Sequence, residues 1–167
     1  VAGDVFDANF VSPDQIHQTR DLLAKMPCDV IVIPGNHDFG CAGGALAQLA
    51  ESTQSDPHIH VALNAEPITI NETRFYPCPL MVRHTNDDPT GHLPTRTDEN
   101  EVWVAIAHGT INERTRGHEA ANLIDHASVV SKGFDYLALG DQHFPQVINE
   151  RVAFSGTHEP SSMRDKN

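Results

Sequence analysis

The stretch Val30-Ile31-Val32-Ile33-Pro34-Gly35-Asn36-His37-Asp38 decides how the rest of the chain is read. Four β-branched residues in succession, too few for a helix and closed off by Pro-Gly, predict a buried strand. An amide, an imidazole and a carboxylate then follow side by side. In open α/β sheets, ligands bind in the crevice beyond the carboxyl ends of the strands. Taken alone, Asn-His-Asp after a glycine is also what a capped turn looks like. Three other stretches echo it.

Upstream, Gly3-Asp4-Val5-Phe6-Asp7 follows what reads as a strand end. Ser12 then suits a helix N-cap, Pro13 the first helical position, and Gln15 completes a capping box. Ile16, Leu22, Leu23 and Met26 give an apolar stripe at helical spacing, with Pro27 as the stop. Residues 1–33 therefore read strand, helix, strand, a βαβ unit with parallel strands. Asp4 and Asn36 then lie beyond the same ends of two neighbouring strands.

Downstream, residues 41–51 predict a short Ala-rich helix, His58 to Leu63 a strand, and Ile68–Ile70 with Thr73–Tyr76 a hairpin. His58 and His60 share a strand face, as either an exposed polar face or a metal pair. Pro77 to Asn100 is a proline-rich loop of the length that is often functional, and it offers Arg83, His84 and Asp88 to a substrate. Val102–Ala107 is a second buried strand, ending in His108-Gly109. A helix is expected over 119–131, with Ala120, Leu123, Ile124, Ala127 and Val130 on one side. Phe134–Leu139 is a further strand, ending in Gly140-Asp141-Gln142-His143. A hairpin of Val147-Ile148 and Arg151–Phe154 closes the fold, followed by Ser155 to Pro160 with His158, and a polar tail. No repeat or linker divides the chain, so residues 1–167 read as one domain.

Composition narrows the function. The chain carries 23 acidic against 11 basic residues, a net charge of −12. A surface built to hold a phosphate backbone is usually basic, so this balance opposes tight DNA binding by the segment alone. It does not oppose a divalent-metal site, since a metal brings its own positive charge to a phosphate. The 11 histidines favour metal chemistry. Cys28, Cys41 and Cys78 form no C-x-x-C pair, which argues against a zinc knuckle or disulfide framework and for reduced thiols in the cytoplasm. No apolar run approaches the roughly 18 residues of a membrane helix. The chain opens on Val1 rather than Met, within what reads as a strand, so residues upstream are expected to be missing.

Four predicted strand ends thus carry metal-capable groups: Asp4, Asn36 with His37, His108, and Asp141 with His143. Neighbouring strand ends are close enough for such side chains to converge. Oxygen ligands mixed with imidazoles suit Mn, Fe or Zn, and so many ligands suggest two metals about 3.5–4 Å apart.

The blocks G-D-V-F-D, P-G-N-H-D, A-H-G and G-D-Q-H, in this order, resemble the calcineurin-like metallophosphoesterase superfamily. The resemblance spans Gly3 to about Pro160. Tyr136-Leu-Ala-Leu-Gly140 and Phe154-Ser-Gly-Thr157 followed by Glu159-Pro160 are similar to the SbcD-like DNA repair exonuclease branch. The resemblance implies an α/β sandwich of two central mixed sheets flanked by helices, and hydrolysis of phosphodiesters by a hydroxide activated by two divalent metals, Mn first, with Fe, Zn or Mg as alternatives. By matching position, Asp4 would bridge both metals, Asn36, His108 and Asp141 would complete the second, and His143 would serve the first. His37 would be the acid facing the leaving oxygen, oriented by Asp38. Arg83, His84 and His158 are candidate substrate contacts, DNA the candidate substrate, and an SbcC-like ATPase the candidate partner. A small-molecule phosphodiesterase or phosphatase, or a scaffold without turnover, are the alternatives. Two departures stand out. The D-x-H block that opens the superfamily's pattern is absent, expected with the missing first strand, and without it the first metal lacks two ligands. The usual G-H-x-H is G-D-Q-H, which places the carboxylate of Asp141 where an imidazole is usual and favours harder ions.

Overall fold

The computed structural model describes residues 1–111 and 121–158. Helix α1 spans Pro13–Leu23, and its start follows the sequence closely. The Ser12 side chain accepts from the Gln15 amide, and the Gln15 side chain returns a bond to the Ser12 amide. Its end does not follow the expected stripe. Ala24 caps the helix three residues before Pro27, and Met26 falls beyond it, consistent with the pressure a proline puts on the residue before it. Ile16 is buried and Leu23 packs beside it, whereas Leu22 is 64% exposed on the opposite face.

Strands β1 (Val30–Val32) and β2 (Ile59–Val61) pair in parallel, linked by α2 (Ala45–Ser52). Ala2 bridges Ile33 in parallel, and the Ile33 amide donates to the Val1 carbonyl. The opening residues thus run beside β1 as the βαβ reading expects. A larger sheet follows in the order β3-β4-β5-β8-β10-β9. Its members are β3 (Ile68–Ile70), β4 (Thr73–Cys78), β5 (Val102–His108), β8 (Tyr136–Gly140), β9 (Gln146–Asn149) and β10 (Val152–Phe154). The two outer pairs, β3–β4 and β10–β9, are antiparallel hairpins, and the central β4-β5-β8-β10 run is parallel. The larger sheet is therefore mixed. The smaller one is parallel in the described residues.

Three apolar clusters fix the layers. Ile16 of α1 and Leu46 and Leu49 of α2 cover one face of β1-β2 through Val30 and Val32. Ile31, Ile33, Ala62 and Ile106 fill the space between the sheets. The outer face of the larger sheet packs Trp103, Leu137, Leu139 and Phe134 against Val129 of α3 (His126–Ser131). The order is helices, sheet, sheet, helix, which is the expected α/β sandwich.

The expected helix over 119–131 is much shorter. Residues 112–120 lie outside the described residues, and Leu123–Ile124 form β7, a two-residue strand pairing with β6 (Thr110–Ile111). Asp125 then caps α3, its side chain accepting from the Ser128 amide, so the helix begins only there. The loop between β4 and β5 contains no regular element, and it is anchored rather than free: Leu80, Thr90 and Leu93 are buried. No described helix is long and apolar enough to cross a membrane.

Candidate functional site

The carboxyl ends of β1, β5 and β8, with the turn after Ala2, meet at one edge of the sandwich. His108, the last residue of β5, is 1% exposed and central there. Its Nδ1 lies 2.7 Å from the Ala2 carbonyl oxygen, an acceptor only, so Nδ1 carries the hydrogen. That leaves Nε2 facing oxygens alone: Asn36 Oδ1 at 2.9 Å, Asp4 Oδ2 at 3.3 Å and Asp141 Oδ1 at 3.8 Å. A neutral imidazole presents only a lone pair at Nε2, so with Asn36 Oδ1 facing it four Lewis bases point at one another. Such an arrangement requires a positive charge between them. Either a proton on Nε2 or a divalent cation can supply it. Burial alone would push His108 down, but the Asp4 carboxylate, the Ala2 carbonyl and the Asp141 charge raise it above its usual value. Asp4 answers in kind. Burial would raise it, yet His108 and the His37 amide hold it below the usual carboxylate range. Two carboxylates, an amide oxygen and an imidazole nitrogen also suit a divalent cation. Among the described residues no three His, Cys, Asp or Glu side chains close into a finished metal cage. The Asn36 amide adds a fourth donor atom to the two carboxylates and the imidazole, and Asp141 stands back from the other three groups.

Local backbone explains how donors from two sheets come this close. A Cβ on Gly140 would sit 1.8 Å from the Ala2 carbonyl oxygen, and one on Gly35 would sit 2.1 Å from Asp4 Oδ1. Only glycine allows either approach. Asp4 and Asp141 are both held at positive φ, 53° and 96°. Strain of this kind at non-glycine residues gathers at functional sites. The sequence signal for this crowding was available. A glycine directly precedes Asp4, Asn36 and Asp141, and one follows His108.

His37 lies beside this cluster. Its amide donates to Asp4 Oδ1 at 3.0 Å, and its Nδ1 faces the Asp7 carbonyl oxygen at 3.1 Å and Asp7 Oδ1 at 3.3 Å. The carboxylate behind His37 is therefore Asp7, not the expected Asp38. Asp38 is fully buried, and both its oxygens accept backbone hydrogens: Gly35 at 2.7 Å, Val5 at 2.8 Å, Phe6 at 3.1 Å and Asp4 at 3.2 Å. Burial pushes its carboxyl up, against the pull of those amides. It clasps the Asp4–Phe6 turn to the Gly35 turn. Neighbours in a tight turn project in different directions, so adjacency in the chain misassigned this carboxylate. The three-residue spacing from Asp4 to Asp7 was the better guide.

The other candidates are spread around the rim. His143 is exposed on the turn after β8, where its carbonyl accepts from the Thr157 amide and hydroxyl. Arg83 and His84 are exposed on the β4–β5 loop. Buried Asn122 holds that part of the loop, donating to the Arg83 carbonyl and accepting from the Thr85 amide. The Asn122 carbonyl in turn accepts from Thr110, two residues past His108. His158 is exposed near the end of the described chain. His60 pairs with Asp29 at 3.4 Å.

Residues 1–145 match the calcineurin-like phosphoesterase family. The chain belongs to that family. No curated protein matches it as a relative. Membership in the calcineurin-like phosphoesterases makes a metal-dependent phosphoesterase the general assignment, and the fold and the charge deficit around His108 fit it.

Proposed function

We propose that the chain is a divalent-metal-dependent phosphodiesterase acting on nucleic acid ends in the manner of a DNA repair exonuclease. One observation supports the reading: among the described residues, oxygens of Asn36, Asp4 and Asp141 gather around His108 Nε2, a donor set that suits a divalent cation. Asp4, Asn36, His108 and Asp141 would hold that cation, with His143 serving a second, and Mn²⁺ fits the oxygen-rich set. A divalent ion there supplies positive charge to a phosphoryl oxygen and lowers the pKa of a coordinated water.

The chain's own residues do the rest. The Ala2 carbonyl fixes the His108 tautomer with Nε2 left to a cation that the site would hold, as outer partners of metal-binding histidines generally do. The Asp7 carbonyl and carboxylate accept from His37 Nδ1, which leaves Nε2 as the ring nitrogen open to substrate. In its protonated form, His37 donates that proton to the leaving oxygen. Arg83 and His84 on the loop and His158 at the rim would contact the phosphate chain. An ATPase of the SbcC kind would supply the DNA-holding surface that a net charge of −12 disfavours in this chain, in a cytoplasm that would keep its three thiols reduced.

The net charge of −12 favours a second reading, a phosphoesterase of small molecules. Incubation with Mn²⁺ and end-labelled single-stranded and duplex oligonucleotides, alongside bis-p-nitrophenyl phosphate and p-nitrophenyl phosphate, separates the two. Stepwise shortening of the oligonucleotide, abolished in Asp4→Asn, supports the exonuclease. Cleavage of the small esters alone supports the second reading. No turnover of any of them by a folded, metal-loaded chain overturns both and leaves a scaffold.

A further inference from the structure

We propose that Asp141 is the residue by which this centre discriminates among divalent ions, biasing it toward hard, oxygen-preferring ions such as Mn²⁺ and away from Zn²⁺. The inference rests on reading the His108 cluster as a metal centre and goes further, to the residue that sets its selectivity. Three of the four donors are rigidly placed. His108 is fully enclosed and pinned by the Ala2 carbonyl. Asn36 lies 2.9 Å from His108 Nε2. Asp4 accepts from the His37 amide, and its own amide donates to buried Asp38. Those three supply one nitrogen and two oxygens, a set that does not by itself choose between Mn²⁺ and Zn²⁺. Asp141 is the variable one. It is exposed, stands 3.8 Å from His108 Nε2, and follows a glycine that has no room for a side chain. Its Oδ2 accepts from Gln142 at 3.2 Å, while Oδ1 is the oxygen nearest the imidazole.

The backbone supports the same role. At φ 96° the position would suit glycine best, yet it carries a carboxylate. A strained non-glycine residue kept at the edge of a cluster of donors points to its side chain as the reason. Adding this third oxygen, with a second full negative charge, makes the donor set hard. Carboxylate and carbonyl oxygens suit Mg²⁺ and Mn²⁺, whereas imidazole suits Zn²⁺ and copper. No thiolate is among the groups that face His108 Nε2: Cys78 is buried in the outer core cluster, Cys41 lies against Gly44 at the start of α2, and Cys28 is exposed.

The test compares the full chain with Asp141→His and Asp141→Asn, both side chains that tolerate positive φ better than most. Binding of Mn²⁺ alone is followed by loss of the free-ion electron paramagnetic resonance signal. Binding of Zn²⁺ alone is followed by competition with a fluorescent chelator, and circular dichroism checks the fold. Exchanging the oxygen donor for nitrogen in Asp141→His is expected to move the ratio of Zn²⁺ to Mn²⁺ affinity toward Zn²⁺ by about tenfold or more. Asp141→Asn keeps an oxygen and loses the charge, so both affinities should fall together and the ratio should stay within about threefold. An unchanged ratio and unchanged affinities in Asp141→His would remove Asp141 from the centre and overturn the proposal, while leaving the phosphoesterase reading in place. An equal shift of the ratio in Asp141→Asn would still support Asp141 as the selecting residue and would assign the bias to its charge rather than to the donor atom. Failure of the unaltered, folded chain to bind either ion would defeat the metal-centre reading itself.

Discussion

Replacing Asp38 by alanine removes the acceptor for four backbone amides at once, those of Asp4, Val5, Phe6 and Gly35. A buried donor left without a partner costs about 1–3 kcal/mol, and water reaches some of these, so Asp38→Ala should lose about 3 kcal/mol or more in a urea titration. His37 is different, because its imidazole is 37% exposed and its polar partner is Asp7. His37→Ala should leave the urea midpoint nearly unchanged and lower kcat by about 10²–10⁴, the usual weight of a general acid. Mn²⁺ binding should survive in His37→Ala, since that side chain does not face His108 Nε2. A stable Asp38→Ala variant that had lost only turnover would return Asp38 to the catalytic role and remove the clasp. Asp7→Asn keeps the backbone carbonyl that faces Nδ1 and removes the carboxylate, so its loss of kcat should be smaller than that of His37→Ala.

The element-scale prediction concerns the β4–β5 loop. Arg96 Nη1 donates to Asp135 at 2.8 Å and to the Gly133 carbonyl at 3.2 Å. Its other nitrogens reach the carbonyls of Asp98, Glu99 and Glu101. Asp135 also accepts from the Trp103 amide, so one guanidinium and one carboxylate tie the loop's end to the starts of β5 and β8. Burial would raise Asp135, but the Trp103 amide and Arg96 outweigh it and hold its carboxyl below the usual range. A carboxylate with a depressed folded-state pKa contributes stability above its unfolded value, and that contribution disappears as pH falls through the folded value. The gain should therefore be full at neutral pH and fade below about pH 4. It should be on the order of 1 kcal/mol at most, because the Asp135 side chain is 43% exposed and solvent screens it. Asp135→Asn should lack this acid-side slope in thermal melts taken from pH 6 to pH 3. An identical slope in both proteins would mean the latch contributes nothing measurable.

Elements set by local rules could be read from the chain, and those set by contact could not. The α1 start rests on Ser12, Pro13 and Gln15, which act within four residues of one another. Its end, and the identity of β7, depend on what the neighbouring chain offers: Leu123 and Ile124 carry the same apolar pattern in a strand as in a helix, and only the pairing with Thr110 and Ile111 decides. The donor cluster was legible because each group follows a strand end. The carbonyl of Ala2, which sets the tautomer of His108, left no mark in the sequence, since every residue has one.

At the scale of the whole molecule, the site belongs to neither sheet. Asp4 and Asn36 come from the turns beside β1, while His108 and Asp141 end strands of the larger sheet. The apolar layer of Ile31, Ile33, Ala62 and Ile106 sets the spacing between those sheets, and the Ala2–His108 bond marks where they touch. Any shift of one sheet over the other must separate the two pairs of donors. Ile33 is fully buried in this layer and runs directly into Pro34-Gly35-Asn36. Ile33→Ala should cost about 2–5 kcal/mol, as buried large-to-small changes do. Leu46→Ala, fully enclosed under α2 on the far side of β1, should cost about the same. Their effects on the site should differ. In Ile33→Ala the seam relaxes at the donors, so Mn²⁺ affinity should fall by about tenfold or more, the range seen when a ligand's support is lost. In Leu46→Ala the seam is intact, and Mn²⁺ affinity should stay within about twofold while the protein remains folded. Urea titrations give the stability match, and Mn²⁺ titrations at low urea read the site. Equal losses of affinity in the two variants would mean that the spacing between the sheets does not govern the donors. The cluster would then be held by its own turns, with the clasp at Asp38 as its main support.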